Sequence, residues 1–409
     1  MERLISALGL IVFVGLATLL SAKRDKIQWQ PVFWGIGLQL LFALLILKTK
    51  TGLVVFKFLA DVVSQLLKFS DAGAKFVFGE SYLDHFFAFQ ILPTIIFFSS
   101  LITILYHYGI LQQVVKAFAW IMLKTMKTSG AESLACSANI FVGSTEAPLL
   151  IKPYVETMTL SELHAVMTGG FATVAGGVLA AYISFGVPAE HLIAASVMSA
   201  PAALAISKVL FPETEESPTA GTVKVEVKQT YANVIDAAVV GAKEGVKLAV
   251  NVGAMLIAFI GLIAMVNGLL GWIGSGVGLP QLSLEWIFSI LFAPVAWLMG
   301  VPWVDCPEVG VLLGKKTILN EFIAYLDLKT LIENAQKGET VNVISERSQI
   351  IATYALCGFS HIGSIAIQIG GISAIAPSRQ QDLAKLGVRA MIGGSIACFM
   401  TACIAGILL

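Results

Sequence analysis

Stretches of mostly apolar residues, each about as long as a membrane is thick, leave this chain few folds to choose from. The clear ones cover roughly 3–21, 30–48, 86–108, 163–185, 189–209, 247–269, 347–371 and 387–408. A helix climbs 1.5 Å per residue, so about 20 apolar residues cross a bilayer's hydrocarbon layer. Lipid cannot satisfy backbone N–H and C=O groups, so such runs must pair them internally, as helices do. Composition agrees: 57% of the 409 residues are hydrophobic and 13% are charged, against about 25% charged in a soluble domain. Lys+Arg and Asp+Glu are both 26, so no basic surface is available to neutralise phosphates, and nucleic acid is not an expected partner. The expected class is an all-α polytopic membrane protein with eight transmembrane helices.

Three further apolar segments are interrupted by polar residues. Residues 53–68 contain Lys57, Asp61 and Ser64, and 110–127 contain Gln112, Gln113, Lys116, Lys124 and Lys127. Both read as amphipathic interfacial helices. Residues 283–299, with Glu285 and an internal Pro294, look similar but more buried. The first run, flanked by Arg3 and by Lys23-Arg24-Asp25-Lys26, reads as a span rather than a cleaved leader. Basic loops at 22–27, 116–127 and 378–389 are expected on the cytoplasmic side, which puts both termini outside. By the same count the polar loop 213–221, short of order-forming residues, is cytoplasmic. His164, near a span end, is expected at the interface. The five cysteines are scattered with no CxxC spacing, so neither a disulfide framework nor a zinc site is expected.

The informative residues are polar ones set inside this apolar background. They fall in Asn139-Ile140-Phe141-Val142-Gly143-Ser144-Thr145-Glu146-Ala147-Pro148, in Asn320-Glu321-Phe322, and in Cys357-Gly358-Phe359-Ser360-His361-Ile362-Gly363-Ser364. A carboxylate in hydrocarbon is costly, so Glu146 and Glu321 mark a functional site. Glycine and proline beside Glu146 point to a broken helix, which survives at membrane depth only where it lines a cavity or is buried in protein. Residues 129–157 and 304–332 read as re-entrant helical hairpins, with Lys315 and Lys316 near the second turn or in an exposed loop. The plan of 86–209 recurs over 247–408, and the inferred orientations make the two repeats inverted, as expected around a midplane site. The chain divides into N-terminal spans and an interfacial helix (1–82), a first inverted repeat (83–210), a polar loop with linker helix (211–245) and a second inverted repeat (246–409).

Two carboxylates on separate hairpins suit a neutral solute rich in hydroxyls or ring N–H groups. Ser144, Thr145 and Ser364 can donate or accept, and Phe359 offers an apolar face to a planar ring. No arginine lies among them, which disfavours an anionic substrate. The side-chain oxygens of Asn139 and Thr173, with carbonyls freed at a helix break, would make an ion pocket. The glycines at 169, 170, 176 and 177 read as close-packing positions. No hydrolase motif, P-loop or dinucleotide fingerprint is present, so the chain reads as a transporter rather than an enzyme. A passive facilitator or channel for such neutral polar solutes is the alternative.

Together with Val301-Pro302-Trp303 and Asn251 to Phe259, these three motifs in order closely resemble the concentrative nucleoside transporter family, in its bacterial, sodium-coupled form. The resemblance covers nearly the whole chain. It implies a homotrimer in the cytoplasmic (inner) membrane whose mobile core, moving like an elevator or rocker, imports a nucleoside such as uridine with sodium. Protons are the weaker alternative as coupling ion, and no cofactor is implied. By position, Gly143, Ser144, Thr145 and Glu146 would face the nucleobase. Val178 and Phe359 would line its apolar side, and Glu321, His361 and Ser364 would meet the ribose. The sodium ligands would be Asn139, the carbonyls of Val142 and Val174, and the Thr173 hydroxyl. Two positions depart: the family often has Gln at Ser144 and usually Asn at His361.

Overall fold

The computed structural model describes residues 1–83, 85–220, 231–338 and 343–409, and within these every regular element is helical. Helices α1 (Glu2–Leu19) and α2 (Trp29–Leu47) are simple spans. The amphipathic α3 (Lys50–Phe78) starts where the Thr49 hydroxyl accepts the Gly52 N–H, and it is longer than the 53–68 stretch expected. A π-helical turn over Phe86–Ile91 leads into α4 (Leu92–His107), followed by α5 (Ile110–Met126). The 129–157 segment forms α6 (Gly130–Ala138), a loop, a 3-10 turn at Ala147–Ile151 and α7 (Lys152–Val155). Next come α8 (Leu160–Ala172), α9 (Gly176–Ser184), α10 (Ala189–Leu210), α11 (Val234–Val277) and α12 (Leu284–Leu298). The second hairpin is α13 (Cys306–Ile318) and α14 (Glu321–Gln336), with only two residues between its arms. Helices α15 (Glu346–Leu356), α16 (Ile362–Ser373) and α17 (Gln380–Leu408) complete the chain.

Among the described residues seven helical segments are long and apolar enough to cross a membrane. The eighth expected span, 347–371, is instead two half-helices, α15 and α16, separated by 357–361. The expected 247–269 span is the middle of α11, a single 44-residue helix about 66 Å long. The boundary drawn at 245/246 therefore falls inside a continuous helix, and 221–230 of the expected linker lie outside the described residues.

Burial divides the helices into two sets. The most apolar stretch of α10 is 94% buried, and that of α11 only 11%. Sequence explains this: α10 is rich in Ala and Ser, which let backbones approach closely, whereas α11 presents Ile257, Met265, Leu269 and Trp272 outward. Helix α11 packs along α4, while α10 packs on α2, α17 and α8. The helices that carry the polar motifs thus sit in the densely packed part, with α4 and α11 at its side.

Polar groups at the start of α6 and α8 are buried with matching partners. Ser129 and Glu132 form a capping box on α6, and Thr159 and Glu162 form one on α8. The loop after α10, expected to lack order, is tied to both. Thr219 O accepts the Gly130 N–H (3.0 Å), and the Ser217 and Thr219 hydroxyls donate to Glu162 Oε1. Lys208 lies 2.8 Å from Glu132 and 3.5 Å from Glu213. His164 is likewise not interfacial: it is buried, bonded to Ser207 and stacked on Phe211. Removing one member of a buried ion pair strands the other charge. Lys208→Met is therefore expected to cost about 3–5 kcal/mol, seen as a large fall in Tm in detergent. Adding Glu132→Gln should restore most of the loss, and a Lys208→Met protein as stable as the parent would contradict the pairing.

Candidate functional site

Two half-helix breaks meet at the centre of the packed part. After α8 the backbone turns extended at Thr173 (φ −127°, ψ 167°) and re-enters a helix at Gly176. After α15 it leaves the helix at Cys357 and restarts beyond His361 (φ −131°, ψ 162°). The Phe359 N–H donates to Thr173 O (3.2 Å), joining the two breaks directly. The loop of the first hairpin joins them too, because Phe141 O accepts the Gly176 N–H (3.2 Å). Carbonyls freed by the breaks find partners: the Cys398 thiol of α17 donates to Cys357 O (3.3 Å), and Lys316 Nζ to Ala355 O (2.7 Å). Lys316 is 1% exposed, so it is no marker of an exposed loop; it stabilises the C-terminal end of a half-helix, where a cation is favoured. Lys315 pairs with Asp327 and Glu285.

The second hairpin delivers Glu321 to this crossing. Asn320 Oδ1 accepts the Ile323 N–H (2.9 Å), capping α14 and fixing Glu321 in its first turn. Glu321 is buried. Its Oε1 accepts from Tyr182 Oη at 2.8 Å, and its Oε2 lies 3.6 Å from His361 Nε2. His361 Nε2 is in turn 2.6 Å from Ser364 Oγ. The structure therefore gathers Glu321, His361 and Ser364 as the motifs implied, and adds Tyr182, which the sequence reading passed over. Tyr182 is fully buried and stacks on Tyr325 (centroids 4.1 Å apart), whose hydroxyl bonds Thr353 O. Val178, one turn before Tyr182 on α9, is buried in the same apolar cluster, and half-buried Phe359 packs against it.

Ten buried side-chain atoms lack a hydrogen-bond partner among the described residues, and five lie on these motifs: both amide atoms of Asn139, Glu321 Oε2, Ser360 Oγ and His361 Nδ1. Each such atom costs roughly 1–3 kcal/mol when nothing pairs it. Their concentration here is what a binding site looks like without its ligand's atoms.

Asn139 sits in the first hairpin, 1% exposed, with its amide against Gly169 of α8; a Cβ there would lie 3.3 Å from Asn139 Nδ2. Gly169 O accepts the Thr173 hydroxyl (2.9 Å). That bond uses the hydroxyl proton and leaves oxygen lone pairs for a cation. The carbonyls of Val142 and Val174 accept no hydrogen bond from the described residues. The fourfold set is thus made of oxygens that are free to bind.

The tip of the first hairpin is placed differently from Glu321. Ser144 lies against Gly170 of α8 and Thr145 against Gly371 of α16. The Glu146 carboxylate folds back over Gly143 and is exposed, and no bond joins it to Glu321 among the described residues. No hydrogen bond or ion pair links the two carboxylates among the described residues. One face of α16 spans the gap, from Ser364 beside His361 to Gly371 beside Thr145, a rise of about 10 Å over seven residues.

Three family models cover almost the entire chain: "Na+ dependent nucleoside transporter N-terminus" over residues 8–81, "Nucleoside recognition" over 88–189 and "Na+ dependent nucleoside transporter C-terminus" over 191–406. The chain belongs to the concentrative, sodium-dependent nucleoside transporter family. As a member of that family it is 50% identical over its full length to human solute carrier family 28 member 3, and 45% identical to human sodium/nucleoside cotransporter 1. It spans 60% and 64% of those relatives' lengths. Its fold matches that of CNTnw in an inward-facing substrate-bound state, with a TM-score of 0.93, 41% identity, and coverage of 100% of this chain and 98% of that one. An outward-facing variant of CNTnw matches at 0.92. All-α, polytopic architecture is therefore secure, and the chain is a multi-pass membrane protein. Identity to human relatives exceeds that to CNTnw, so likeness places the chain in the family without assigning it to a bacterial branch.

Proposed function

We propose that this protein is a sodium-coupled symporter that carries nucleosides such as uridine across a cytoplasmic (inner) membrane, a secondary active transporter rather than an enzyme. The observation that carries this reading is the cluster of unpaired buried polar atoms at the crossing of two broken helices. Ribose hydroxyls would donate to Glu321 Oε2 and engage His361 and Ser364, with Tyr182 holding the carboxylate. The base would lie between Val178 and Phe359 on its apolar side and the Gly143–Glu146 tip on its polar side. Glu146, exposed at that tip, is free to turn toward a ring N–H.

Sodium would bind Asn139, the Thr173 hydroxyl and the carbonyls of Val142 and Val174. These groups come from the first hairpin and from the α8–α9 break, so one ion cross-links the two segments that flank the base. Ordering the hairpin tip in this way would raise nucleoside affinity, and by linkage nucleoside would raise sodium affinity equally. The two hairpin-and-broken-helix units would act as inverted repeats around this site. The outward apolar face of α11 suits a homotrimer interface flanked by lipid. Uptake of radiolabelled uridine into sodium-free proteoliposomes tests the reading. An inward sodium gradient should drive accumulation above the outside concentration, and a sodium ionophore should abolish it. Saturable uptake that never exceeds equilibrium, with or without sodium, would make the protein a facilitator instead.

A further inference from the structure

Gln368 is out of place in its surroundings. Its neighbours on α16 are Ile365, Ile367 and Ile369, yet this polar residue is buried, only 1% exposed. Only one bond holds it, from Nε2 to Met167 O at 3.2 Å. Its Oε1 and second N–H bond to no other described residue. An aliphatic side chain would fill the space without that desolvation cost.

Its position gives the amide a task. Gln368 is four residues after Ser364 and three before Gly371, so all three share one helix face. That face runs from the Glu321–His361–Ser364 cluster to Thr145 at the hairpin tip. Gln368 is one turn from the first and one turn from the second. A Cβ on Gly170 would lie 2.8 Å from Ser144 Cβ and 2.9 Å from Gln368 Nε2, so the amide and Ser144 converge on one spot. Ser144 is too short to present two hydrogen-bonding groups to a planar ring edge. An amide offers a carbonyl acceptor beside an N–H donor, the pattern that pairs bidentately with a nucleobase edge.

We propose that Gln368 is a specificity-determining residue whose amide reads the hydrogen-bonding edge of the nucleobase at the tip of the first hairpin. This rests on the reading of the crossing as a nucleoside site. The test is calorimetric binding of uridine, cytidine and adenosine to the full chain in saturating sodium. All three share the ribose, so a packing defect lowers every affinity by one factor, whereas a lost base contact changes their ratios. Gln368→Leu is expected to change the uridine:adenosine affinity ratio about tenfold. Gln368→Glu keeps the size but only accepts, so it should favour cytidine and adenosine, whose exocyclic amines donate, over uridine. Adding Ser144→Gln to Gln368→Leu should return part of the lost affinity from the opposite wall. Ratios unchanged in both single variants would overturn the proposal, whether the affinities fall together or stay put. A parent protein that binds none of the three with sodium would instead overturn the nucleoside reading itself.

Discussion

Glu321→Gln should lower nucleoside affinity about a hundredfold or more while leaving the protein folded. The replacement keeps the shape of the side chain and can still accept from Tyr182 Oη, the 2.8 Å bond that anchors Oε1. What it removes is the charge at Oε2, the buried oxygen that bonds to nothing among the described residues. Hydrogen bonds to a charged acceptor contribute about 1.5–3 kcal/mol each. With two ribose hydroxyls sharing this carboxylate, as proposed, a loss of at least two orders of magnitude is expected. Tyr182→Phe separates positioning from contact: it leaves the carboxylate in place but frees its Oε1, and a loss of about tenfold is expected. Both are read by calorimetry in saturating sodium, with Tm as the control for folding. Glu321→Gln binding uridine as tightly as the parent would remove the carboxylate from the site.

Asn139→Leu should abolish sodium stimulation of nucleoside binding and, against the usual direction for a core substitution, leave the protein as stable or more stable. The side chain is buried with both amide atoms unpaired, so an apolar replacement of similar volume relieves roughly 1–3 kcal/mol of desolvation. On the proposed sodium site, the same replacement deletes a ligand that would join the hairpin to the α8–α9 break. Because linkage is reciprocal, nucleoside affinity in sodium should fall to the value the parent shows without sodium. Parallel Tm and uridine titrations with and without sodium check both halves. A variant that keeps its sodium response would show that the ion binds elsewhere.

Much of this was legible in the chain because the physics of lipid is unforgiving. Glycine and proline beside Glu146, inside a long apolar run, pointed to a broken helix there, whereas 347–371 read as one span and its break at 357–361 emerged only in the structure. Glu321, His361 and Ser364 were grouped by the family resemblance, and the structure joins them within hydrogen-bonding or near-contact distances. Other features needed coordinates. Tyr182 looks like any aromatic residue in an apolar helix; its one signal was the four-residue spacing from Val178. Lys316 was expected near the second turn or in an exposed loop, and Lys208 lies within the expected 189–209 span; their buried partners, Ala355 O and Glu132, show only in the structure. The span was expected to begin at Lys247, with a boundary at 245/246, yet a helix can extend charged turns such as Lys243 and Glu244 beyond lipid at little cost, and α11 does. A loop rich in Glu, Ser and Thr resembled a disordered linker because its order comes from the capping boxes of α6 and α8, far away in sequence.

The arrangement of the solute is the point on which the rest depends, and density for a heavy-atom nucleoside addresses it directly. Crystals or cryo-EM grids prepared with sodium and 5-bromouridine should show the sugar within hydrogen-bonding distance of Glu321 and Ser364. The bromine-bearing ring should lie toward Ser144 and Gln368, one to two turns away along α16. A nucleoside bound in the reverse sense, or at a place that touches neither Glu321 nor the first hairpin, would contradict the account.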